Sequence, residues 1–523
     1  MKIWVKQWDN NVTEPALLLK LFCCEKKYLY LRSEIIFNNM RQAIIARTIE
    51  VQLLDRLMEE QQAQFVAVYG RRRVGKTFLI REYFDDTFSF FHTAVSPQEL
   101  KDRQPELLYR IQLDEFSKTL RMYGYDNPNP IKDWFDAFDR LWLLICQHPS
   151  EERLVLFFDE MPWLDTPRAG FMSALEHFWN RFASGRHKLL LIAAGSATAW
   201  MMDNLVNNNG GLYNRTSRDI HIHPFTLAET EEYFQSRGVL MDRYDIVQSY
   251  MIVGGVPYYL SLFEKGKSLA QNIDTMFFNR GNKMEKEYTR LFQSMFADND
   301  KYKKIVEYIS KYRYGVLRGK ICEDLGLSNG GAVGEILMSL EECDLITSFY
   351  NFGESKRKKY YKLTDPFCLF YLSFAQKHPT NNRSFWQDNQ NLPKLSPWRG
   401  QAFEDVCFSH QEQIKRALGI QGVHCEIYPW RHIADGFTPG AQIDMLIDRA
   451  DRVVNVCEMK FSQSEFTVDK DYDEKLRNKI VAITESTKRK RNPQMTLITT
   501  YGLRNGLYSG RFQKTVNMDD LFR

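Results

Sequence analysis

The chain has 523 residues, too many for one ordinary hydrophobic core, so roughly two to four domains are expected. Hydrophobic residues make up 44% and charged residues 26%, a balance that excludes a disordered or fibrous chain. The 70 lysines and arginines nearly cancel the 66 acids, leaving +4, so bulk charge does not indicate nucleic-acid binding and any such case has to be local.

Residues 1–40 show no clear period or cap and read as a poorly defined extension. The apolar stretch Ala16 to Cys24 is short and interrupted by Lys20, which fits neither a signal peptide nor an anchor. No other run approaches the roughly 18 apolar residues that a spanning helix needs, so the expectation is a cytoplasmic protein without a membrane partner. The nine cysteines form no CxxC pair, and adjacent Cys23 and Cys24 are too close for an ordinary bridge. That pattern points to a reducing compartment and no structural zinc. Met40 stands directly before a helix-like segment, Arg47 to Glu59, and is an alternative translation start. Peptides from Lys2 to Asn39 in a mass spectrum of the native N-terminus would argue against it.

A buried-strand run, Phe65 to Tyr69, leads into Gly70-Arg71-Arg72-Arg73-Val74-Gly75-Lys76-Thr77 and then the amphipathic Phe78 to Phe84. This is GxxxxGK[ST] in the strand, loop and helix context that a P-loop requires. The glycines let backbone N–H groups curl around phosphate oxygens, and the helix N-terminus adds positive dipole. Lys76 is expected to reach the terminal phosphates and the Thr77 hydroxyl to hold Mg²⁺. The expected ATP-binding set is thus Gly70, Arg71, Arg72, Arg73, Val74, Gly75, Lys76, Thr77 and Phe78. Downstream, the apolar strand Leu154 to Phe158 ends in Asp159-Glu160, the Walker B form. Asp159 is expected to hold Mg²⁺ through its water shell and Glu160 to polarise the attacking water.

Lys188 to Ala194 is another buried strand, ending in Gly195-Ser196. Ser196 reads as a sensor of the γ-phosphate region, as the N-cap of a helix from Ala197 to Leu205, or as both. Arg215, before the alternating strand Asp219 to His223, reads either as a phosphate-charge sensor, in cis or from a neighbouring subunit, or as a surface arginine. His221 and His223 share a strand face, but no third ligand is evident, so no metal is expected there.

These residues resemble the prokaryotic STAND-type branch of the AAA+ ATPases, over nearly everything after Met40. The resemblance rests on the Gly-Arg-Arg-Arg-Val-Gly-Lys-Thr loop, Asp159-Glu160, Gly195-Ser196, Leu212-Tyr213-Asn214-Arg215, Pro224-Phe225 and Gly254-Gly255-Val256-Pro257. It implies an α/β P-loop core at 41–226 and a helical lid at 227–298 whose Gly255 and Pro257 lie near the base or phosphates. Asn214 stands where the family usually has glycine, a departure that bears on Arg215.

From Tyr302 the pattern becomes three short helices followed by a strand pair about Phe349 and Tyr360, and 299–376 reads as a winged helix. Its presumed recognition helix, Gly331 to Cys343, carries Glu335, Glu341 and Glu342 and no basic residue, which disfavours entry into a phosphate-lined groove. The wing has Lys356-Arg357-Lys358-Lys359. A module that packs on the ATPase, or touches backbone phosphate through its wing, is therefore expected.

Residues 377–397 are polar and read as a linker. In 398–523, Glu404 lies on a helix, Asp444 on one strand of a hairpin and Glu458 and Lys460 on one face of the other. This is the Asp…Glu-x-Lys arrangement of PD-(D/E)xK nucleases, and the family's terminal domain is similar to that restriction-endonuclease-like superfamily. Asp444 and Glu458 would hold a divalent ion, Lys460 would position hydroxide and Glu404 would assist. Lys488-Arg489-Lys490-Arg491 reads as a phosphate grip or a solvated helix end. Two functions stay open: ATP turnover gating a DNA-directed nuclease-like module, or a regulatory switch whose inert terminal domain binds a protein partner. A homo-oligomer fits either.

Overall fold

The structure is a computed structural model that describes residues 44–97, 105–149, 151–207, 216–279, 281–296, 298–377, 383–390, 392–432, 440–486 and 491–523. Met40, Asn214, Arg215 and the basic residues Lys488 to Lys490 lie outside them.

Short runs that are apolar on nearly every residue suit strands covered on both faces. Strands β1 (Gln64–Tyr69), β2 (Phe90–Thr93), β3 (Leu154–Asp159), β4 (Leu189–Gly195) and β5 (Arg218–His221) form one parallel sheet in the order β2-β3-β4-β1-β5. Every residue of β3 and β4 is buried. One face packs Phe65, Phe90, Phe158, Trp134 and Phe138, and the other Val66, Phe157, Ile192, Leu79 and Leu54. Because β4 lies between β1 and β3, the loop after β1, the acids ending β3 and Ser196 after β4 converge at one sheet edge. That is the edge where parallel α/β sheets bind ligands.

The chain then turns helical. Leu227–Ser236 opens on a capping box of Thr226 and Glu229, and Arg243–Val253 starts on the Asp242 side chain. Helices Pro257–Leu260, Leu269–Ile273 and Glu287–Met295 complete this group. Residues 299–376 contain helices Asn299–Ile309, Arg318–Asp324 and Gly331–Glu342, with strands β6 (Val316–Leu317), β7 (Ile346–Phe349) and β8 (Tyr360–Leu363) in an antiparallel sheet ordered β6-β8-β7. The terminal region has helices Ser396–Ser409 and Gln411–Leu418, then strands β9 (Cys425–His432), β10 (Ala441–Arg449), β11 (Val453–Lys460), β12 (Asn492–Thr499) and β13 (Lys514–Asn517). Strands β9, β10 and β11 pair antiparallel, while β12 joins β11 parallel after the crossover helix Lys470–Ser486.

Within the stretch expected as a linker, the described residues include packed structure. Helix Phe385–Asn389 buries Trp386, and the Asp274 carboxylate accepts the backbone N–H groups of Trp386 at 2.7 Å and Gln387 at 3.1 Å. Polarity was the misleading signal, because one tryptophan suffices to anchor a short polar helix. A single apolar core runs from the lid through the 299–376 module into the terminal sheet. Deep within it, the His410 ring nitrogen Nε2 accepts the N–H of Leu227 at 2.9 Å, joining the terminal region to the first lid helix. Among the described residues no helix is long and apolar enough to cross a membrane.

The lid meets the sheet through backbone. Phe225 donates its N–H to the Gly255 carbonyl at 2.7 Å, and a β-carbon on Gly255 would lie 1.8 Å from the Phe225 oxygen. Gly255→Ala must push these chains apart, and about 1–3 kcal/mol of destabilisation is expected. A denaturant midpoint equal to that of the wild type would show that the lid contact is slack.

Candidate nucleotide site and a second carboxylate cluster

The loop after β1 bends through left-handed backbone at Gly70 (φ 142°), Arg73 (φ 76°) and Gly75 (φ 96°). At Gly70 only glycine fits, since a β-carbon would meet the Ile222 oxygen at 2.2 Å. Such turns point successive N–H groups inward and make an anion cradle at the start of helix Lys76–Tyr83. Lys76 is buried, and its ammonium donates to the carbonyls of Gly70 (2.9 Å) and Arg71 (3.1 Å) and to Ser196 Oγ (3.0 Å). Burial lowers its proton affinity, opposed by the charges of Glu160 and Asp159.

The Thr77 hydroxyl donates to Asp159 at 2.9 Å. Burial, then the neighbouring Glu160 charge, pushes Asp159 up to about 6. Ser196 binds Glu160 twice, through Oγ at 2.6 Å and N–H at 2.9 Å. The following short helix starts at Thr198 with Ala197 as an N-cap that makes no side-chain bond, so Ser196 is not its cap. A hydrogen-bond relay Lys76→Ser196→Glu160 thus spans β4. The buried ammonium meets only neutral oxygens, beside a left-handed N–H cradle and a hydroxyl–carboxylate pair. This donor set fits a triphosphate with its Mg²⁺, which Thr77 and Asp159 would hold.

Two of the loop's three arginine side chains, Arg71 and Arg73, are engaged elsewhere. Arg71, essentially solvent-free, forms an ion pair with Asp365, which also caps helix Pro366–Phe370. The Arg71 Nε and Nη2 atoms have no partner. Arg73 pairs with Glu287 at 3.2 Å and stacks on Tyr258 at 3.9 Å. Burial, then Arg73, lowers the proton affinity of Arg72. Phe78 is 55% exposed on its helix. Gly255 meets the backbone of Phe225, and Pro257 opens helix Pro257–Leu260. Sequence reasoning missed Arg47, whose guanidinium donates to the Val74 carbonyl at 3.0 Å and lies 4.5 Å over the Phe225 ring. It also missed Asp365 and Glu287, which nothing local marks as partners of the loop.

The terminal sheet gathers Glu404, Asp444, Glu458 and Lys460. The pairing of β10 with β9 shifts register between Ile443 and Leu446, an irregularity flanking Asp444 of the kind that re-aims a side chain. Asp444 accepts the Met459 N–H at 2.9 Å. Burial, then the Glu458 charge, raises its proton affinity. Burial would raise Glu458 too, but Lys460 and Lys479 outweigh it and hold the carboxyl low. Their ammonium groups lie 2.7 Å and 2.5 Å from Glu458, and the Tyr472 hydroxyl also donates to it. Tyr472 and Lys479 are seven apart on one face of the crossover helix, a periodicity that could have flagged them. Burial, then Asp444, brings Glu404 up to about 7, and Arg313 of the 299–376 module pairs with it at 3.2 Å. Lys362 of the same module binds the adjacent Asp405 at 2.6 Å.

Residues 45–263 match the family described as an ATPase domain predominantly from Archaea. An uncharacterised protein of Methanocaldococcus jannaschii is 23% identical over 333 residues, 63% of this chain and 68% of that protein. An uncharacterised ATP-binding protein of the same organism is 40% identical over 42 residues, 8% of this chain and 71% of that protein. Among solved structures, the Walker-type ATPase of Pyrococcus abyssi aligns with a TM-score of 0.43 at 16% identity, covering 64% of this chain and 97% of that one. The chain therefore carries an archaeal-type ATPase domain.

Lys76→Ala is expected to weaken nucleotide binding by about 3 kcal/mol or more, on the order of 100-fold, in a protein that stays folded. Calorimetric titration giving wild-type affinity would contradict this. Asp365→Ala strands the buried Arg71 charge and should cost about 3–5 kcal/mol of stability. An unshifted unfolding curve would mean that Arg71 finds water instead.

Proposed function

We propose that residues 45–263 bind and hydrolyse Mg·ATP, and that the nucleotide state gates the carboxylate cluster of the terminal sheet, which we read as a PD-(D/E)xK-type site directed at DNA. The observation that carries this reading is that one module, residues 299–376, has partners at both places. Its helix Gly331–Glu342 packs on Thr198–Met201, and Asp365, two residues past β8, pairs with Arg71. Its Arg313 reaches Glu404 on the other side.

Bound Mg·ATP supplies a terminal phosphoryl bond that water can cleave. Lys76 balances phosphate charge, Thr77 and Asp159 orient the ion, and Glu160 polarises the water once its carboxylate leaves Ser196. Arg215 is assigned to phosphate charge, in cis or across a homo-oligomer. In the 299–376 module, read as a winged helix, the acidic helix faces the ATPase, which leaves the exposed wing Ser355 to Lys358 to meet DNA phosphate. At the terminal site Asp444 and Glu458 would hold a divalent ion, with Glu404 assisting and Lys460 positioning hydroxide. Departure of Arg313 frees Glu404, so movement of the module would change that site's charge.

One observation favours the second reading, an inert terminal domain that binds a protein partner. Glu458 is already neutralised by two lysines and a tyrosine, a charge balance that needs no metal.

ATP hydrolysis with and without DNA at matched salt, for wild type and Glu160→Gln, tests the first half. The variant should lose on the order of 100-fold in turnover while still binding nucleotide; undiminished hydrolysis removes the role of Glu160. A divalent-metal nuclease assay with Glu458→Ala tests the second half. Cleavage by wild type alone supports the nuclease reading, and cleavage by neither or both transfers the weight to partner binding.

A further inference from the structure

Strand β5 ends on His221 and His223 follows two residues later, and neither site uses these histidines. His221 and the nearby His223 alternate onto one face, and their rings stand 3.8 Å apart. The third group that the sequence fails to show comes from 121 residues beyond His223. Asp344 sits in a left-handed turn (φ 55°) directly after helix Gly331–Glu342, a conformation that aspartate tolerates better than most residues. Its Oδ2 lies 3.2 Å from His223 Nδ1 and 3.9 Å from His221 Nε2. One ligand atom from each residue falls within 4.8 Å of the others.

The pairing of His221 with Asp344 is incomplete. His221 Nε2 is shielded from solvent, faces the carboxylate and has no hydrogen-bond partner. An imidazole nitrogen that faces a carboxylate from just beyond hydrogen-bond reach is the arrangement that a small cation completes. The Tyr69 ring, stacked at 4.7 Å, holds the imidazole in place.

We propose that His221, His223 and Asp344 bind one late first-row divalent ion, best Zn²⁺, which clamps the 299–376 module onto the ATPase sheet. Metal–nitrogen and metal–oxygen bonds of about 2.0–2.2 Å place tetrahedral ligand atoms roughly 3.3 Å apart. The His223–Asp344 pair already has that spacing at 3.2 Å, the His221–Asp344 pair stands at 3.9 Å, and all three ligand atoms lie within 4.8 Å of one another. Two imidazoles select Zn²⁺ over Mg²⁺, which prefers oxygen. His223 is exposed, so an ion can enter, and water takes the fourth position. The clamp lies beside the nucleotide loop: Tyr69 directly precedes Gly70, and His221 feels the charge of Lys76.

The test is Zn²⁺ titration of the full chain against a chromophoric chelator, with millimolar Mg²⁺ present to fill oxygen-rich sites. Wild type, His221→Ala, His223→Gln, Asp344→Asn and Glu458→Ala are compared. The expected result is one Zn²⁺ per chain that weakens at least 100-fold in either histidine variant, weakens in Asp344→Asn and persists in Glu458→Ala. Co²⁺ in its place should give tetrahedral ligand-field absorption that His223→Gln, altered only at an exposed ring, abolishes. Equal Zn²⁺ affinity and stoichiometry in wild type and both histidine variants, or a site lost only in Glu458→Ala, overturns the proposal.

Discussion

The ion pair between Arg71 and Asp365 is the constraint around which the molecule is arranged. A guanidinium with no solvent contact cannot stay charged without an anion beside it, and Arg71 stands inside the loop that cradles phosphate. The anion comes from 294 residues later. The 299–376 module must therefore end at the nucleotide loop, and the lid that precedes it must fold so that the chain returns there. Arg73 with Glu287, and Arg47 with Val74 and Phe225, repeat the device on neighbouring sides of the loop. Three arginines tie the cradle to three different segments.

The same logic governs the module's contacts with the terminal region. Arg313 and Lys362 meet Glu404 and Asp405 where a carboxylate cluster has been taken out of water. Burial makes those acids reluctant to ionise, and basic side chains from the module offset part of that cost. Because lid, module and terminal sheet share one apolar core, displacement at one end is resisted by packing throughout rather than absorbed in a loose hinge. The helix around Trp386 is part of that stiffness.

The ATPase sheet was legible in the sequence wherever its signals were local. Gly70 to Thr77 declares itself within one strand, loop and helix, and Asp159 with Glu160 closes a strand with no polar interruption. The β10–β11 hairpin was equally plain, since a period-two pattern differs clearly from a helical one. Partnerships across the fold were not legible. No spacing links Arg71 to Asp365, Arg313 to Glu404 or His221 to Asp344, because each depends on how separate elements pack. Ser196 was visible but ambiguous; the cap position falls to Ala197, and the Ser196 hydroxyl turns to Glu160. The polar stretch before residue 397 misled for the opposite reason: composition averaged over twenty residues hid a single anchoring ring.

The relay Lys76→Ser196→Glu160 also links two places that the sheet holds apart. Each oxygen of Glu160 accepts one hydrogen bond from Ser196, and the same serine hydroxyl accepts from the Lys76 ammonium. An anion that drew the ammonium away would remove one partner of the serine and so change its hold on the carboxylate. Charge on one side of β4 is thereby felt on the other through a single hydroxyl.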